Sequence, residues 1–242
     1  MSNIVIIGKD LPDNLELAES FAAKNKTVFV TSKTEAETSN FESEHIFATT
    51  WNKASSISAH SLILQAETKL TNIDEVLFYF DASTYATKFE TDKSEEIAPG
   101  VDTMINSYIY TASELLKRID QRKDKIVVSF VIKEYPTKYD TILSRTTGIV
   151  PANTIVSIAQ ASFIALAESF STAVADRNFL TVLLGKCAYN NELYKNDKLI
   201  ADWINDSVES LKKLKNPQTP KQATTWNKVG GKVSSGFSFF SK

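Results

Sequence analysis

The stretch that decides the fold is Asn3-Ile-Val-Ile-Ile-Gly8, near the start of a chain of 242 residues. An apolar, mostly β-branched run of this kind is typical of a strand that is buried on both faces. Pro12 and Asp13 follow it and predict the start of a helix over residues 14–23. A buried strand followed directly by an amphipathic helix is the first unit of an alternating strand–helix fold.

The alternation continues along the chain. Further apolar strands are predicted at residues 27–31, 45–50, 75–80, 125–132 and 179–184, and helices at residues 56–70, 100–119, 154–175 and 197–214. Strands that are separated by crossover helices form a parallel sheet with helices on both faces. The sequence therefore predicts one three-layer, doubly wound α/β domain with six or seven strands over residues 1–215. A tail over residues 216–242 follows, and a last strand can lie within it.

Composition and charge limit the classes of protein to consider. Hydrophobic residues make up 43% of the chain and charged residues 23%, as in ordinary globular proteins. The single cysteine, Cys187, excludes an internal disulfide, and the first residues lack the pattern of a signal peptide, so a cytoplasmic protein is predicted. The apolar stretch 154–175 contains Glu168 and several Ser, Thr and Gln residues, which favours a buried helix over a membrane span.

The C-terminal tail differs from the rest of the chain in charge. Residues 212–242 contain seven lysines and no acidic residue, whereas the whole chain carries a net charge of −2. A basic tail on an acidic body indicates docking onto that body, a protein partner with an acidic face, or a solvated end. Phe237, Phe239 and Phe240 favour docking, because such an apolar group is rarely left in water. Low charge density argues against nucleic acid as the partner.

The order and spacing of these elements, with Phe80-Asp-Ala-Ser83 after the fourth strand, resemble the short-chain dehydrogenase/reductase superfamily over residues 3–184. The resemblance implies a Rossmann-type fold that binds NAD or NADP above the sheet. Carried over residue by residue, it makes Gly8, Lys33, Asp81, Ala82 and Asn106 the candidate cofactor-binding residues. Lys33 follows the second strand, where the absence of an acidic residue would favour NADP over NAD.

The sequence departs from the family pattern at the first turn. Of the three glycines of the family only Gly8 is present, and Pro12 and Asn14 stand at the later positions. Proline removes an amide donor, and Asp10 and Asp13 place carboxylates where a phosphate would lie. A carboxylate about 4 Å from a phosphate charge is repelled by roughly 1–4 kcal/mol. We therefore expect no dinucleotide in the usual pose.

The catalytic pair of the family is also missing. A tyrosine and a lysine four residues apart lie on one helix face, where the ammonium lowers the pKa of the phenol. Alignment of helix 154–175 places Val156 and Gln160 at these positions, and neither transfers a proton at neutral pH. The resemblance therefore implies a degenerate, non-catalytic relative that acts as a binding or scaffolding subunit. The alternative is an NAD(P)-dependent oxidoreductase with displaced residues such as Tyr108, Tyr135 or Tyr139. His45 and His60 have no partner at metal-ligand spacing, so no metal site is predicted.

Helices 100–119 and 154–175 are the ones that pair across a two-fold axis in the family. Because helix 154–175 is apolar nearly all round, one face can cover the sheet while the other needs a second cover. A homodimer through these two helices supplies it. Four small residues are expected to allow a close approach of the helices: Ala159, Ala161, Ser162 and Ala165.

Overall fold

The structure is a computed structural model that describes residues 2–41, 43–86, 88–89, 93–145, 148–214 and 216–233. Within these residues, parallel strands form one sheet of seven strands in the order β3-β2-β1-β4-β5-β6-β7. Their bounds are β1 (Ser2–Leu11), β2 (Lys26–Ser32), β3 (Ile46–Thr49), β4 (Glu75–Asp81), β5 (Ile126–Lys133), β6 (Leu180–Cys187) and β7 (Trp226–Lys228). The strand order reverses between β1 and β4, so a crevice is expected above the carboxyl ends of these two strands.

Helices cover both faces of the sheet. They are α1 (Leu15–Ala22), α2 (Glu35–Phe41), α3 (Ser56–Leu70), α4 (Ala82–Tyr85), α5 (Ser94–Val101), α6 (Ser107–Arg122), α7 (Lys138–Leu143), α8 (Thr154–Ala173), α9 (Asp197–Lys212) and α10 (Pro220–Ala223). One apolar core joins α3, α6 and α8 to alternate strand residues such as Val5 and Phe78. A second core joins α1 and α9 to their neighbours Ile6 and Tyr79. The predicted three-layer, doubly wound α/β fold is confirmed.

The main difference from the prediction lies after the first strand. β1 does not end at Gly8 but continues to Leu11, which pairs with Ser32 of β2 after a shift in register. Helix α1 then begins at Leu15, with Asn14 at its N-cap. The turn that would hold a phosphate in a dinucleotide-binding fold is thus replaced by additional extended chain.

The long polar segments after β2 and β4 contain helices that the sequence did not predict. Helix α2 buries none of its residues, so it has no apolar periodicity that would reveal it. The predicted helix 100–119 is the last part of a longer helical segment. It begins with α5 and passes through a π-helical turn, Asp102–Asn106, into α6.

Helix α8 is long and apolar enough, by length and composition alone, to cross a membrane. Its inner residues Val156, Ala159 and Phe163 pack in the core with α3 and α6. A core helix passes the same test of composition, so the helix is weak evidence for a membrane span.

The first part of the predicted tail belongs to the sheet. β7 pairs with β6 in parallel, with Trp226 opposite Leu184 and Lys228 opposite Lys186. The boundary at residue 215 stays a prediction. The phenylalanines Phe237, Phe239 and Phe240 lie outside the described residues.

Candidate functional site

Four charged side chains meet above the carboxyl ends of β1, β4 and β5. The ammonium of Lys9 lies 3.2 Å from Asp81 and 2.5 Å from Asp197. The ammonium of Lys133 lies 2.9 Å from Asp81 and 3.0 Å from Asp197. Each lysine therefore bridges both aspartates, and we call these four residues the charge cluster.

The charge cluster is buried and its carboxylates have further partners. The four side chains are between 3% and 12% exposed. Asp81 accepts hydrogen bonds from the backbone amide and the hydroxyl of Ser83, and Asp197 accepts one from the Tyr79 hydroxyl at 3.0 Å. Lys133 also lies 5.0 Å from the ring centre of Tyr194, a cation–π distance. Two positive and two negative charges with these partners satisfy one another inside the protein.

The pKa shifts in the charge cluster follow from burial and pairing. Burial alone would raise the pKa of Asp81, but Lys133 and then Lys9 outweigh it and hold the pKa of this carboxyl below its usual value. Burial would lower the pKa of Lys9, but Asp81 and Asp197 outweigh it and raise that pKa. Burial, reinforced by the nearby aspartates, raises the pKa of Tyr79 well above that of a free phenol. At neutral pH Asp81 and Lys9 are therefore charged, and Tyr79 keeps its proton.

The space beside Gly8 is occupied by tyrosines. Gly8 has a φ of +125°, and a Cβ there would lie 2.1 Å from the Tyr79 carbonyl oxygen and 2.3 Å from the Tyr108 hydroxyl. The Tyr108 hydroxyl donates to the Tyr79 carbonyl, and the Tyr85 hydroxyl donates to the Gly8 carbonyl. The glycine is required by the close approach of Tyr79 and Tyr108 to the chain at this position.

The carboxylates expected to repel a phosphate are held by neighbouring side chains. Asp10 accepts hydrogen bonds from Thr31 at 2.6 Å and from Lys53 at 2.5 Å. Asp13 pairs with Lys33 at 2.7 Å, and these pairs lie beside the N-terminus of α1. At the same helix end Asn14 is fully buried, and its side-chain amide makes no hydrogen bond with the described part of the chain.

The structure brings together only some of the predicted cofactor-binding residues. Gly8, Asp81 and Ala82 lie at neighbouring strand ends, where Asp81 belongs to the charge cluster and caps α4, the short helix that Ala82 begins. Lys33 is half-exposed and bound by Asp13. The Asn106 side chain donates to Asp102, one turn earlier in the π-helical segment. Among the described residues, no hydrogen bond or ion pair joins Lys33 or Asn106 to the other three.

Sequence reasoning missed three members of the charge cluster. Lys9 and Lys133 each stand near the end of an apolar strand, as Asp81 does. This shared position is the sequence feature that could have predicted that the three residues lie close together. Asp197 was hidden because it lies 188 residues from Lys9 and begins a helix on the other side of the crevice.

The positions aligned with the catalytic pair have structural roles. Val156 is fully buried in the core. Gln160 holds the backbone of Tyr135, accepting from its amide at 2.8 Å and donating to its carbonyl at 3.1 Å. Beside Gln160 lies a cavity of about 920 Å³, between α7, α8 and the loops after β5 and β6. We call it the α7–α8 cavity.

The three tyrosines of the alternative hypothesis occupy different places. Tyr108 is buried against Tyr79, Tyr135 lines the α7–α8 cavity, and Tyr139 is exposed on α7. Helix α7 begins at Lys138, two residues after Pro136, because Thr137 and Asp140 form a capping box. Among the described residues, no group of three or more His, Cys, Asp or Glu side chains is arranged to hold a metal ion.

The fold is that of the short-chain dehydrogenases/reductases. A family oxidoreductase of this type from Aeromonas hydrophila matches with a TM-score of 0.64 over 86% of this chain and 91% of its own, at 12% identity. A variant short-chain dehydrogenase/reductase from Serratia marcescens matches with a TM-score of 0.61 over 94% of this chain and 95% of its own, also at 12% identity. ElxO with NADP bound matches with a TM-score of 0.58 over 92% of this chain and 88% of its own, at 13% identity.

Similarity at this level of identity establishes the fold alone. No protein-family model matches the sequence, and no curated protein matches it. The residues present do not fit a dinucleotide in the usual pose, because the charge cluster and the tyrosines beside Gly8 occupy the crevice.

Proposed function

We propose that this protein is a non-catalytic relative of the short-chain dehydrogenases/reductases that acts as a binding or scaffolding subunit. The observation that carries the proposal is the filled crevice. Lys9, Asp81, Lys133 and Asp197 neutralise one another where the fold would accept a dinucleotide, and Tyr85 and Tyr108 close the space at Gly8.

Electrostatics supports this assignment. A pyrophosphate carries negative charge, and it would enter beside the carboxylates of Asp81 and Asp197. To bind it, Lys9 or Lys133 would have to leave a buried aspartate unpaired. Breaking a buried ion pair costs on the order of 3–5 kcal/mol, which is a large part of the binding energy of a cofactor with micromolar affinity.

The residues near the α7–α8 cavity support the absence of catalysis. Val156 has no proton to transfer, and the Gln160 amide is committed to the Tyr135 backbone. Tyr135 itself has its pKa raised by burial, and then by Tyr189, which makes it a poorer acid at neutral pH. A lysine four residues after it, as in the family pair, is absent because Tyr139 stands there.

The proposed subunit is a cytoplasmic homodimer through α6 and α8. Ile109 on α6 is 40% exposed and Ile158 on α8 is 52% exposed, which leaves apolar surface for a partner. Ala161 and Ala165 are also exposed, whereas Ala159 is fully buried in the core. Light scattering at micromolar concentration should give the mass of two chains, and the mass of one chain would contradict the dimer.

Thermal unfolding with added nucleotide tests the main proposal. A ligand at about 100 times its Kd adds roughly 2.7 kcal/mol to the free energy of unfolding. For a chain of this size that raises Tm by roughly 5–10 °C. We expect millimolar NADPH or NADH to leave Tm unchanged, while a NADP-binding short-chain dehydrogenase in the same assay shows the shift. A saturable rise in Tm would contradict the proposal.

A second candidate function is an NAD(P)-dependent oxidoreductase with non-standard residues. The observation that favours it is Asn14, whose buried side-chain amide at the N-terminus of α1 has no hydrogen-bond partner among the residues that the structure describes. An unpaired buried donor at a helix N-terminus is suited to a phosphate oxygen. The α7–α8 cavity would then hold the substrate. If nucleotide raises Tm in the parent chain and fails to do so in Asn14→Leu, this second function replaces the first.

A further inference from the structure

The α7–α8 cavity is apolar and open to the surface. Its walls include Tyr135, Leu143, Ile149, Ile164 and Tyr189. Two acidic side chains, Glu134 and Asp140, stand at the same cavity. An apolar cavity with an acidic edge fits a ligand that has apolar groups and a nearby positive charge.

Exposed apolar side chains continue the cavity outward along α7. Tyr139 is 69% exposed, Ile142 66%, Leu143 65% and Val150 72%. These four large apolar side chains lie within twelve residues of sequence, and we call them the α7 patch. Exposed apolar surface of this kind marks a contact surface.

The C-terminal part of the chain passes close to this cavity. The loop after β6 lines the cavity through Tyr189, and the same loop holds the end of the described chain. Asn191 donates to the Val229 carbonyl at 2.8 Å, and Leu193 lies against Gly230. Leu193 is four residues from Tyr189, or about 14 Å when extended, and its side chain contacts Gly230, so the chain at Gly230 lies within about 20 Å of the cavity edge.

The described chain ends at Val233, and residues 234–242 follow with the sequence Ser-Ser-Gly-Phe-Ser-Phe-Phe-Ser-Lys. Nine residues reach up to about 30 Å when extended, which exceeds the distance to the cavity edge. This segment carries three phenylalanines for the apolar walls and one lysine for the acidic edge.

We propose that the α7–α8 cavity is the docking site of the chain's own C-terminal segment, residues 234–242. The phenylalanines fill the cavity and cover the α7 patch, and Lys242 approaches Glu134 and Asp140. The same chain is favoured over a second copy, because attachment through β7 and the loop after β6 gives the segment a millimolar effective concentration at the cavity. The inference does not depend on the proposed function, since it concerns contact within the chain and not nucleotide binding.

Cysteine cross-linking in the full chain tests the contact. Ala161 is an exposed residue at the cavity, and Phe239 lies in the segment. In the variant Ala161→Cys with Phe239→Cys, mild oxidation should form an intramolecular disulfide, because two cysteines bond only when their Cα atoms approach within about 7 Å. The native Cys187 is buried and does not compete.

The control pairs Phe239→Cys with Thr68→Cys, which is exposed on α3 towards the opposite end of the sheet. We expect cross-linking of the Ala161 pair to exceed that of the Thr68 pair at least tenfold. Equal cross-linking of the two pairs, or none in either, would overturn the proposal. A disulfide that joins position 161 of one chain to position 239 of another would also overturn it, because the occupant would then be a second copy.

A second measurement applies if the cysteine variants do not fold. The probe is anilinonaphthalene sulfonate, which fluoresces on open apolar surface. Replacing Phe237, Phe239 and Phe240 by serine should raise its fluorescence severalfold over the parent chain. The matched control replaces Ser235, Ser238 and Ser241 by alanine and should leave the fluorescence unchanged. Equal fluorescence of the phenylalanine variant and the parent would contradict docking in the cavity.

Discussion

Two regions at the same edge of the sheet differ in how they are filled. Above β1 and β4 the crevice contains the charge cluster, in which every charge has a partner. Above β5 and β6 the α7–α8 cavity has a volume of about 920 Å³ and largely apolar walls. In a dehydrogenase of this fold the first region would serve the cofactor and the second the substrate. In this chain the first region is filled by the chain's own paired charges, whereas the second has room for a ligand.

The two regions are in contact through aromatic rings. Tyr135 at the cavity packs edge-to-face on Tyr189, and Tyr189 packs on Tyr194. Tyr194 in turn lies over the ammonium of Lys133 in the charge cluster. A substitution in the charge cluster can therefore alter the packing at the edge of the α7–α8 cavity. For this reason the first variants change the charge cluster.

The largest effect is expected for Lys133→Met. This variant leaves Asp81 and Asp197 with one lysine between them, so one buried negative charge is unpaired. We expect the free energy of unfolding to fall by about 3–5 kcal/mol, measured by urea denaturation. The matched control is Lys186→Met, where the ammonium is partly exposed and lies 4.0 Å from Glu134. Such a pair contributes about 0–1 kcal/mol.

A double variant sharpens this result. Adding Asp197→Asn to Lys133→Met restores neutrality and keeps an acceptor for the Tyr79 hydroxyl. The double variant should be more stable than the sum of the two single effects predicts, by roughly 0.5–3 kcal/mol. Strict additivity, or equal costs for Lys133→Met and Lys186→Met, would mean that the cluster is not a coupled buried network.

The sequence predicted the sheet well because its central strands are buried on both faces, as all seven residues of β4 show. It predicted α2 and α7 poorly because these helices bury none of their residues. The positions of Gly8 and Asp81 at the crevice were also predictable from strand ends. Their partners were not, because the pairing of Lys9 with Asp197 depends on how a helix near the C-terminus packs, and a single sequence does not contain that geometry.

A smaller effect is expected from two asparagines at helix N-caps. Within the described part of the chain, the buried side-chain amide of Asn14 at α1 has no hydrogen-bond partner, whereas Asn153 at α8 accepts from the Val156 amide at 3.0 Å. Asn14→Leu has a similar shape and removes the unpaired group, so we expect a gain of about 1–3 kcal/mol in the free energy of unfolding. Asn153→Leu removes a cap and should cost about 0.5–2 kcal/mol.

Urea denaturation also measures the free energy of unfolding of these two variants. A loss of stability in both would mean that the Asn14 amide has a partner in the native protein, such as a bound ligand or water. That outcome would favour the second candidate function, because the crevice would then contain a polar side chain that can bind a ligand.

The smallest expected effect is a change in the free energy of unfolding with pH, and it occurs only in acid solution. Pairing with Lys133 and Lys9 lowers the pKa of Asp81 in the folded protein despite its burial. A carboxyl whose folded pKa lies below its unfolded value of about 3.9 contributes stability above that pH, and the contribution is lost as the pH falls through the folded pKa. The stability difference between the parent chain and Asp81→Asn should therefore be constant from pH 5 to 8 and shrink below about pH 4.

The same measurement at Glu168, an exposed carboxyl on α8, provides the control. The difference between the parent chain and Glu168→Gln should be much smaller at every pH, because an exposed side chain exchanges its contacts for water at little cost. A difference for Asp81→Asn that falls steadily as the pH rises from about 4 to 8 would show that this carboxyl does not ionise in the folded protein. The crevice would then hold an unbalanced positive charge, and the argument that its charges exclude a phosphate would fail.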